Sequence, residues 1–326
     1  MDSAAAFFSR LSNFLIMHSH ANSQPKFVLA GGTSFLGRHL QRYFEQLNYR
    51  VIVLSRARRM APNHVAWDGR TLGPWAAELE NAVALINLAG RSVDCRYTEA
   101  NQREILTSRL DSTRVLGQAV ARCHTPPLVW LNSSTATIYD DTRADAPANT
   151  EARGLLGRGF SVRVATAWEE AFRAAKAPRT RKVALRTSIV LGTDGGAFPV
   201  LTKLAKLGLC TPQGGGDQWV SWLHIDDFCR AVEFLAFQTT ESGAFNVCAP
   251  VPLPNRDFNA LLAQRFRPWL RLPQPRWLLE LGAFALRTET ELILKSRKVV
   301  PARLLELGFQ FSYPTAAQAV AALTHA

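Results

Sequence analysis

The segment Ala30-Gly31-Gly32-Thr33-Ser34-Phe35-Leu36-Gly37 is the part of this chain most plainly fitted to chemistry. A glycine turn between a strand and a helix lets the backbone approach a pyrophosphate, whose charge the free helix N–H groups and the helix dipole stabilise. Gly31, Gly32, Thr33, Phe35 and Leu36 are the candidate contacts. The next apolar run ends at Ser55 and Arg56. A carboxylate there would hold the ribose 2′-OH of NAD, whereas an arginine accommodates the 2′-phosphate of NADP. No acid stands in Ser55-Arg56-Ala57-Arg58-Arg59. Arg56 can form charge-assisted hydrogen bonds with a phosphate, so NADP(H) is the expected cofactor. Arg58 and Arg59 read better as solvated surface charges.

Such a turn works only between a buried strand and an amphipathic helix. Short, predominantly apolar runs occur at Phe27-Ala30, Val51-Leu54, Ala84-Ala89, Leu128-Leu131, Val183-Leu191 and Ala244-Cys248. Runs this uniform read as parallel strands covered on both faces. Helical stretches at Phe35-Leu47, Thr98-Arg122, Val162-Ala175 and Asp227-Phe237 alternate with them. The alternation predicts an α/β fold, a Rossmann-type doubly wound parallel sheet. After Leu191 the rhythm loosens into glycine- and proline-bearing loops, which predicts a smaller C-terminal substrate lobe over the carboxyl edge of the sheet. The expected organisation is an N-terminal extension over 1–25, an NADP-binding core over 26–190, and a mixed region over 191–326 that completes the sheet and forms the lobe. In the extension, Phe7, Phe8, Leu11, Phe14 and Leu15 recur at helical spacing, so Ala4-Met17 can form an amphipathic helix. Arg10 makes it a poor secretory signal, and the plainer expectation is a disordered extension or a start codon placed too early.

Composition removes other classes. With 47% hydrophobic residues in 326, the chain has ample material for a core. No run approaches the roughly 18 to 20 apolar residues of a membrane helix, so no integral membrane association is expected. The five cysteines are scattered and never spaced C-x-x-C, which argues against a disulfide scaffold or a metal site and suits the cytoplasm. The net charge of +12 attracts polyanions in general. Its basic residues are dispersed, however, and carry no zinc-finger, basic-zipper or RNA-binding signature, so no nucleic-acid partner is expected. No Ser-His-Asp order, H-E-x-x-H pattern or Walker loop offers another enzyme class.

The chain resembles the extended short-chain dehydrogenase/reductase superfamily, and within it the atypical "epimerase family" branch of YfcH-like proteins with its characteristic C-terminal segment. The resemblance runs from Lys26 to the C-terminus. It rests on the glycine loop, Leu54-Ser55-Arg56, Trp67-Asp68, Asn87-Leu88-Ala89-Gly90, Ser108-Arg109 with Thr113-Arg114, Trp168-Glu169, and Leu185-Arg186 leading to Val190-Leu191-Gly192. It continues through Gln218-Trp219-Val220-Ser221-Trp222-Leu223-His224-Ile225-Asp226-Asp227, Phe245-Asn246-Val247, and Ser296-Arg297 through Pro301-Ala302-Arg303-Leu304-Leu305 to Gly308-Phe309. The resemblance implies that Leu88 and Ala89 form a cofactor-side turn and that Glu104 and Arg109 reach the cofactor. Asp68 is expected either to accept from the adenine amino group or to cap a turn. Two positions depart from the family loop T-G-G-T-G-F-I-G: Ala30 replaces its threonine and Ser34 its middle glycine. A serine where φ is positive would be disfavoured, and its Cβ would crowd the phosphate.

Most enzymes of the superfamily use a Tyr-x-x-x-Lys pair, with a Ser or Thr after the preceding strand orienting the substrate oxygen. Thr135 falls on the hydroxyl position, but the tyrosine and lysine positions hold Phe160 and Val164. Phenylalanine cannot exchange a proton, so Tyr139 and His224 are the remaining candidates for catalysis beside Thr135. Arg186 is a candidate anion ligand or ion-pair partner, and Trp219 and Trp222 either pack the lobe interface or line a substrate pocket. The resulting expectation is an NADP(H)-binding protein with oxidoreductase or epimerase-like activity on an unidentified small molecule. The alternative is a non-catalytic NADP(H)-responsive regulator; the resemblance points it towards cell division, because some members of the branch carry a cell-division-inhibitor label. A homodimer is compatible with the chain but not readable from it.

Overall fold

Ala30, Leu54 and Asn87 stand side by side at the ends of three neighbouring parallel strands, and the rest of the fold is arranged around that row. The computed structural model describes residues 24–56, 61–143, 145–212, 215–268 and 295–325. The expected amphipathic helix at Ala4-Met17, and Arg58 and Arg59, lie outside these residues. The strands are β1 (Lys26–Ala30), β2 (Arg50–Ser55), β3 (His64–Ala66), β4 (Ala82–Asn87), β5 (Val129–Thr135) and β6 (Arg181–Thr187). With β11 (Gly243–Val247) they form one seven-stranded sheet in the order β11-β6-β5-β4-β1-β2-β3. Every pairing in it is parallel. The strand order reverses between β1 and β4, the crevice where doubly wound sheets bind ligands.

Helices α1 (Phe35–Gln46) and α5 (Ile225–Phe237) cover one face, and α2 (Glu99–Arg122) and α3 (Phe160–Ala174) cover the other. Side chains of β1 alternate between the two layers: Phe27 and Leu29 join the first, Val28 and Ala30 the second. On the first face α1 buries Gly37, Leu40 and Phe44, the spacing of one helical stripe, and the Phe44 ring stacks on Phe27 at 4.0 Å. The C-terminal ends of α5 and α3 are tied to the sheet by basic side chains. Arg181 donates to the Leu235 and Ala236 carbonyls, and Lys182 to those of Phe172, Arg173 and Ala175. A cation at a helix C-terminus also meets the negative end of the helix dipole.

The apolar run Val183-Leu191 divides in two. At Ser188 the chain turns out of the main sheet, and β7 (Ile189–Gly192) pairs instead with β8 (Gly195–Gly196) and β10 (Trp222–His224). Beyond it lie α4 (Phe198–Lys206), a two-stranded pairing of β9 (Trp219–Val220) with β12 (Leu253–Pro254), α6 (Asn255–Phe266), α7 (Ala302–Glu306) and α8 (Ala316–His325). Two polar clasps fasten the C-terminal segment. The Ser221 hydroxyl donates to the Arg297 carbonyl and accepts from Val299 N–H. The fully buried Asp227 carboxylate accepts from the Ser312 and Tyr313 N–H groups and from Arg230.

Candidate cofactor and substrate site

The positive φ that the glycine loop requires falls at Gly31 (+76°), and a Cβ there would lie 2.9 Å from the Ala89 backbone. The loop is therefore pressed against the turn after β4. Ser34 does not have the positive φ that would have strained it. Its φ is −69° and ψ 168°, extended backbone without strain, and its hydroxyl accepts from the Gly37 N–H at 3.2 Å as the N-cap of α1. Phe35 and Leu36 N–H are left without a hydrogen bond among the described residues, as the first turn of a helix leaves them. The Phe35 ring packs over Gly192 and Gly195, where any Cβ would come within 2.6 Å of it. Only the Phe35 backbone, not its side chain, faces an incoming phosphate.

The facing wall is held by a buried polar network. Asn87 donates to Asn132 Oδ1 at 2.7 Å and to Thr113 Oγ1 at 3.3 Å, and accepts from Ala89 N–H at 3.0 Å. Trp168 Nε1 donates to the same Thr113 hydroxyl at 2.9 Å. Leu88 N–H bonds to the Ala30 carbonyl at 2.8 Å, so the Leu88–Ala89 turn is fixed to β1 and to its own strand at once.

Beyond Ser55 the edge opens into a cleft of 510 Å³ walled by Ser55, Arg56, Ala66, Trp67, Asp68 and Trp75. Arg56 is exposed and has no ion pair among the described residues. Asp68 takes the turn-capping role. It accepts from Arg70 and Thr71 N–H and from the Thr71 hydroxyl, and these hydrogen bonds hold its pKa down at about 2.

On α2, the two residues expected at the cofactor part company. Glu104 is exposed and paired with Arg91, in the loop after β4. Arg109 turns inward: its guanidinium donates to the carbonyls of Arg91 (3.0 Å) and Ile105 (2.9 Å) and sits 5.1 Å from the Trp168 ring centre. No carboxylate pairs with it among the described residues, and burial pulls its pKa down to about 10.

Two of the three catalytic candidates are engaged in structural hydrogen bonds. Tyr139 is fully buried, its hydroxyl donating to Asn246 Oδ1 at 2.7 Å and accepting from Arg186 at 2.8 Å, and burial pushes its pKa up. Both hydrogen bonds hold the phenol inside the protein. His224 caps α5, accepting from Asp226 N–H through Nδ1, with its ring against Tyr313 at 3.8 Å; burial lowers its pKa. Thr135, half-buried at the end of β5, shares a hydrogen bond of 3.0 Å with Thr137 and remains at the carboxyl edge. Arg186 is no anion ligand, because it is bound bidentately to Glu169. Trp222 is core, its Nε1 donating to the Val251 carbonyl, and Trp219 lies under Lys298. Phe160 opens α3, Val164 is buried behind it, and the Phe160 ring meets the Tyr97 ring edge-on at 5.0 Å. Tyr97 was not singled out by sequence; its one signal was an aromatic hydroxyl immediately before the Thr98 helix cap, in a loop leaving the carboxyl edge. Among the described residues no cluster of three or more His, Cys, Asp or Glu is placed to hold a metal ion, and no helix is long and apolar enough to cross a membrane.

A doubly wound sheet with a glycine turn, a pinned facing wall and a basic cleft at one edge defines a Rossmann-type nucleotide-binding protein. The chain belongs to the NAD dependent epimerase/dehydratase family, which residues 27–248 match; residues 274–323 match a domain of unknown function, DUF1731. The epimerase family protein YfhF of Bacillus subtilis is 30% identical over 292 residues, 88% of this chain and 93% of that protein. The human epimerase family protein SDR39U1 is 30% identical over 290 residues, covering 88% and 95%. The crystal structure of human SDR39U1 (isoform 2) with NADPH superposes with a TM-score of 0.81 at 28% identity, over 92% of this chain and 99% of that one. A nucleoside-diphosphate sugar epimerase of Corynebacterium glutamicum gives 0.74 at 27% identity, over 95% of this chain and 60% of its own.

Proposed function

We propose that this chain binds NADP(H) and acts as an oxidoreductase or epimerase-like enzyme on a small molecule in the cytoplasm. The observation that carries the reading is Arg56, exposed beside a 510 Å³ cleft with no ion pair among the described residues. The nearest carboxylate on that wall, Asp68, is engaged in its own turn and leaves the arginine uncompensated. The SDR39U1 structure, solved with NADPH, supports the same cofactor. Phe35 and Leu36 N–H would hold the pyrophosphate, and Arg56 with Ser55 the 2′-phosphate. The cofactor, when bound, supplies hydride-transfer chemistry. Direct titration of the purified protein with NADPH and NADH tests the reading; equal affinities would overturn it.

A second reading, an NADP(H)-responsive regulator without turnover, is favoured by one feature. The proton-transfer pair of the superfamily is replaced by Phe160 and the buried Val164, neither of which carries a proton or a charge. NADPH binding with no oxidation under any carbonyl would favour it.

A further inference from the structure

The phenylalanine that replaces the superfamily tyrosine is not alone at its position. Tyr97, in the loop between β4 and α2, meets it with rings 5.0 Å apart and an interplanar angle of 66°. The Tyr97 backbone is fixed: its carbonyl accepts from Gln102 Nε2 at 2.8 Å, and the next residue, Thr98, caps α2. Its side chain is half-buried, open enough to meet a small ligand. Tyr97 also lies close enough to Arg109 for the two charges to act on one another. That guanidinium donates only to backbone carbonyls among the described residues, so a phenolate would be its natural counter-charge. Other charges around the ring are Arg96 beside it in the chain, Arg163 on α3 at 6.0 Å from the Phe160 ring centre, and the mutually paired Arg91 and Glu104.

We propose that Tyr97 is the proton-transfer group of this site, with Arg109 as the positioning residue that stabilises its phenolate. The inference rests on the enzyme reading above. A phenol and a neighbouring cation are the two parts that Tyr-x-x-x-Lys supplies from one helix. Here both come from the β4–α2 side, and α3 contributes only the apolar surface of Phe160. In the reducing direction, a substrate carbonyl carbon gains a hydride from the reduced nicotinamide, which becomes oxidised. The carbonyl oxygen takes the Tyr97 proton, and the phenolate beside Arg109 recovers one from water.

The test begins on the cofactor-free protein, by tyrosinate absorbance at 295 nm against pH. Of the five tyrosines, Tyr43, Tyr49 and Tyr139 are pushed up, so an early-titrating phenol stands out. One phenol is expected to titrate ahead of the others, because a neighbouring cation favours the charged form. It should vanish in Tyr97→Phe, move up in Arg109→Gln and return in Arg109→Lys, all three checked for an unchanged melting temperature. NADPH oxidation is then followed with phenanthrenequinone, diacetyl and 4-nitrobenzaldehyde as probes. Tyr97→Phe is expected to lower kcat by on the order of 100-fold, the low end of general acid catalysis, with NADPH affinity unchanged. An early phenol that survives Tyr97→Phe, or turnover that does, overturns the proposal. If the wild type turns over none of the probes, the titration alone decides. Failure of the wild type to bind NADPH strikes the enzyme reading instead, and is read separately by fluorescence.

Discussion

Arg186 grips Glu169 with two parallel hydrogen bonds, Nε to Oε1 and Nη2 to Oε2, each 2.8 Å long. The pair joins the end of β6 to α3 beneath the substrate edge, and both side chains are nearly sealed, at 13% and 8% exposure. Burial opposes the arginine's charge, but the hydrogen bonds and attraction from Glu169 outweigh it and raise its pKa. Ser134 completes the carboxylate's shell at 2.6 Å. Removing one partner leaves a buried charge uncompensated, so Glu169→Ala is expected to cost about 3 to 5 kcal/mol in denaturant unfolding. A loss under 1 kcal/mol would mean that water reaches the pair.

Tyr139 is expected to matter for stability and not for chemistry. Tyr139→Phe removes the donor to Asn246 Oδ1 and an acceptor for Arg186, at a cost of about 1 to 3 kcal/mol. NADPH affinity and any turnover should survive. A folded variant that binds NADPH but has lost turnover would return the catalytic role to Tyr139.

Arg56 sets cofactor choice if the cleft takes a 2′-phosphate. Arg56→Ala should bring the NADPH and NADH affinities together by about 1.5 to 3 kcal/mol, the worth of a hydrogen bond to a charged group. Calorimetric titration reads the gap directly, and a gap that does not move points to another phosphate ligand.

Ser34 should act through the helix. Ser34→Ala removes the cap of α1 and should cost about 1 kcal/mol of stability, whereas Ser34→Gly should cost only a few tenths. Equal losses would show that the hydroxyl does not cap in solution.

Asp68 gives an acid-side signature. Its pKa in the folded chain, about 2, lies below the ordinary 3.8, so its contribution to stability is full above pH 4 and fades as pH falls through 2. The melting temperatures of wild type and Asp68→Asn should therefore differ at pH 6 and converge towards pH 2. A constant difference across that range would assign the effect to shape.

The sheet was legible because a parallel strand buried on both faces leaves an unbroken apolar run, as Ala84 to Ile86 does. Arg56 was legible because its place follows directly from the end of such a run. The run Val183-Leu191 misled at Ser188, where the chain changes partner from β11 to β10; the polar interruption Arg186-Thr187-Ser188 was the signal that one strand ends and another begins. Tyr139, Arg186 and His224 carry polar ends that suit a site equally well. The partners of Tyr139 and Arg186, Asn246 and Glu169, are remote in sequence, and only the pairing of β6 with β11 brings Arg186 beside Asn246. Tyr97 sits in a loop, where no periodicity marks which way a side chain points.

Asp227 has a consequence for how this chain is made. Its carboxylate, at the start of α5, is satisfied by N–H groups of Ser312 and Tyr313, 85 and 86 positions further along. On a ribosome the sheet-forming residues through Val247 emerge well before those donors. Until the donors arrive, the carboxylate has only Arg230, one turn along the same helix, as its partner. Closing so long a loop is slow relative to local pairing. A chain that has reached Val247 but not Ser312 therefore holds α5 with two of that carboxylate's hydrogen bonds still unmade. Synthesis halted before Ser312 would leave that buried carboxylate two donors short.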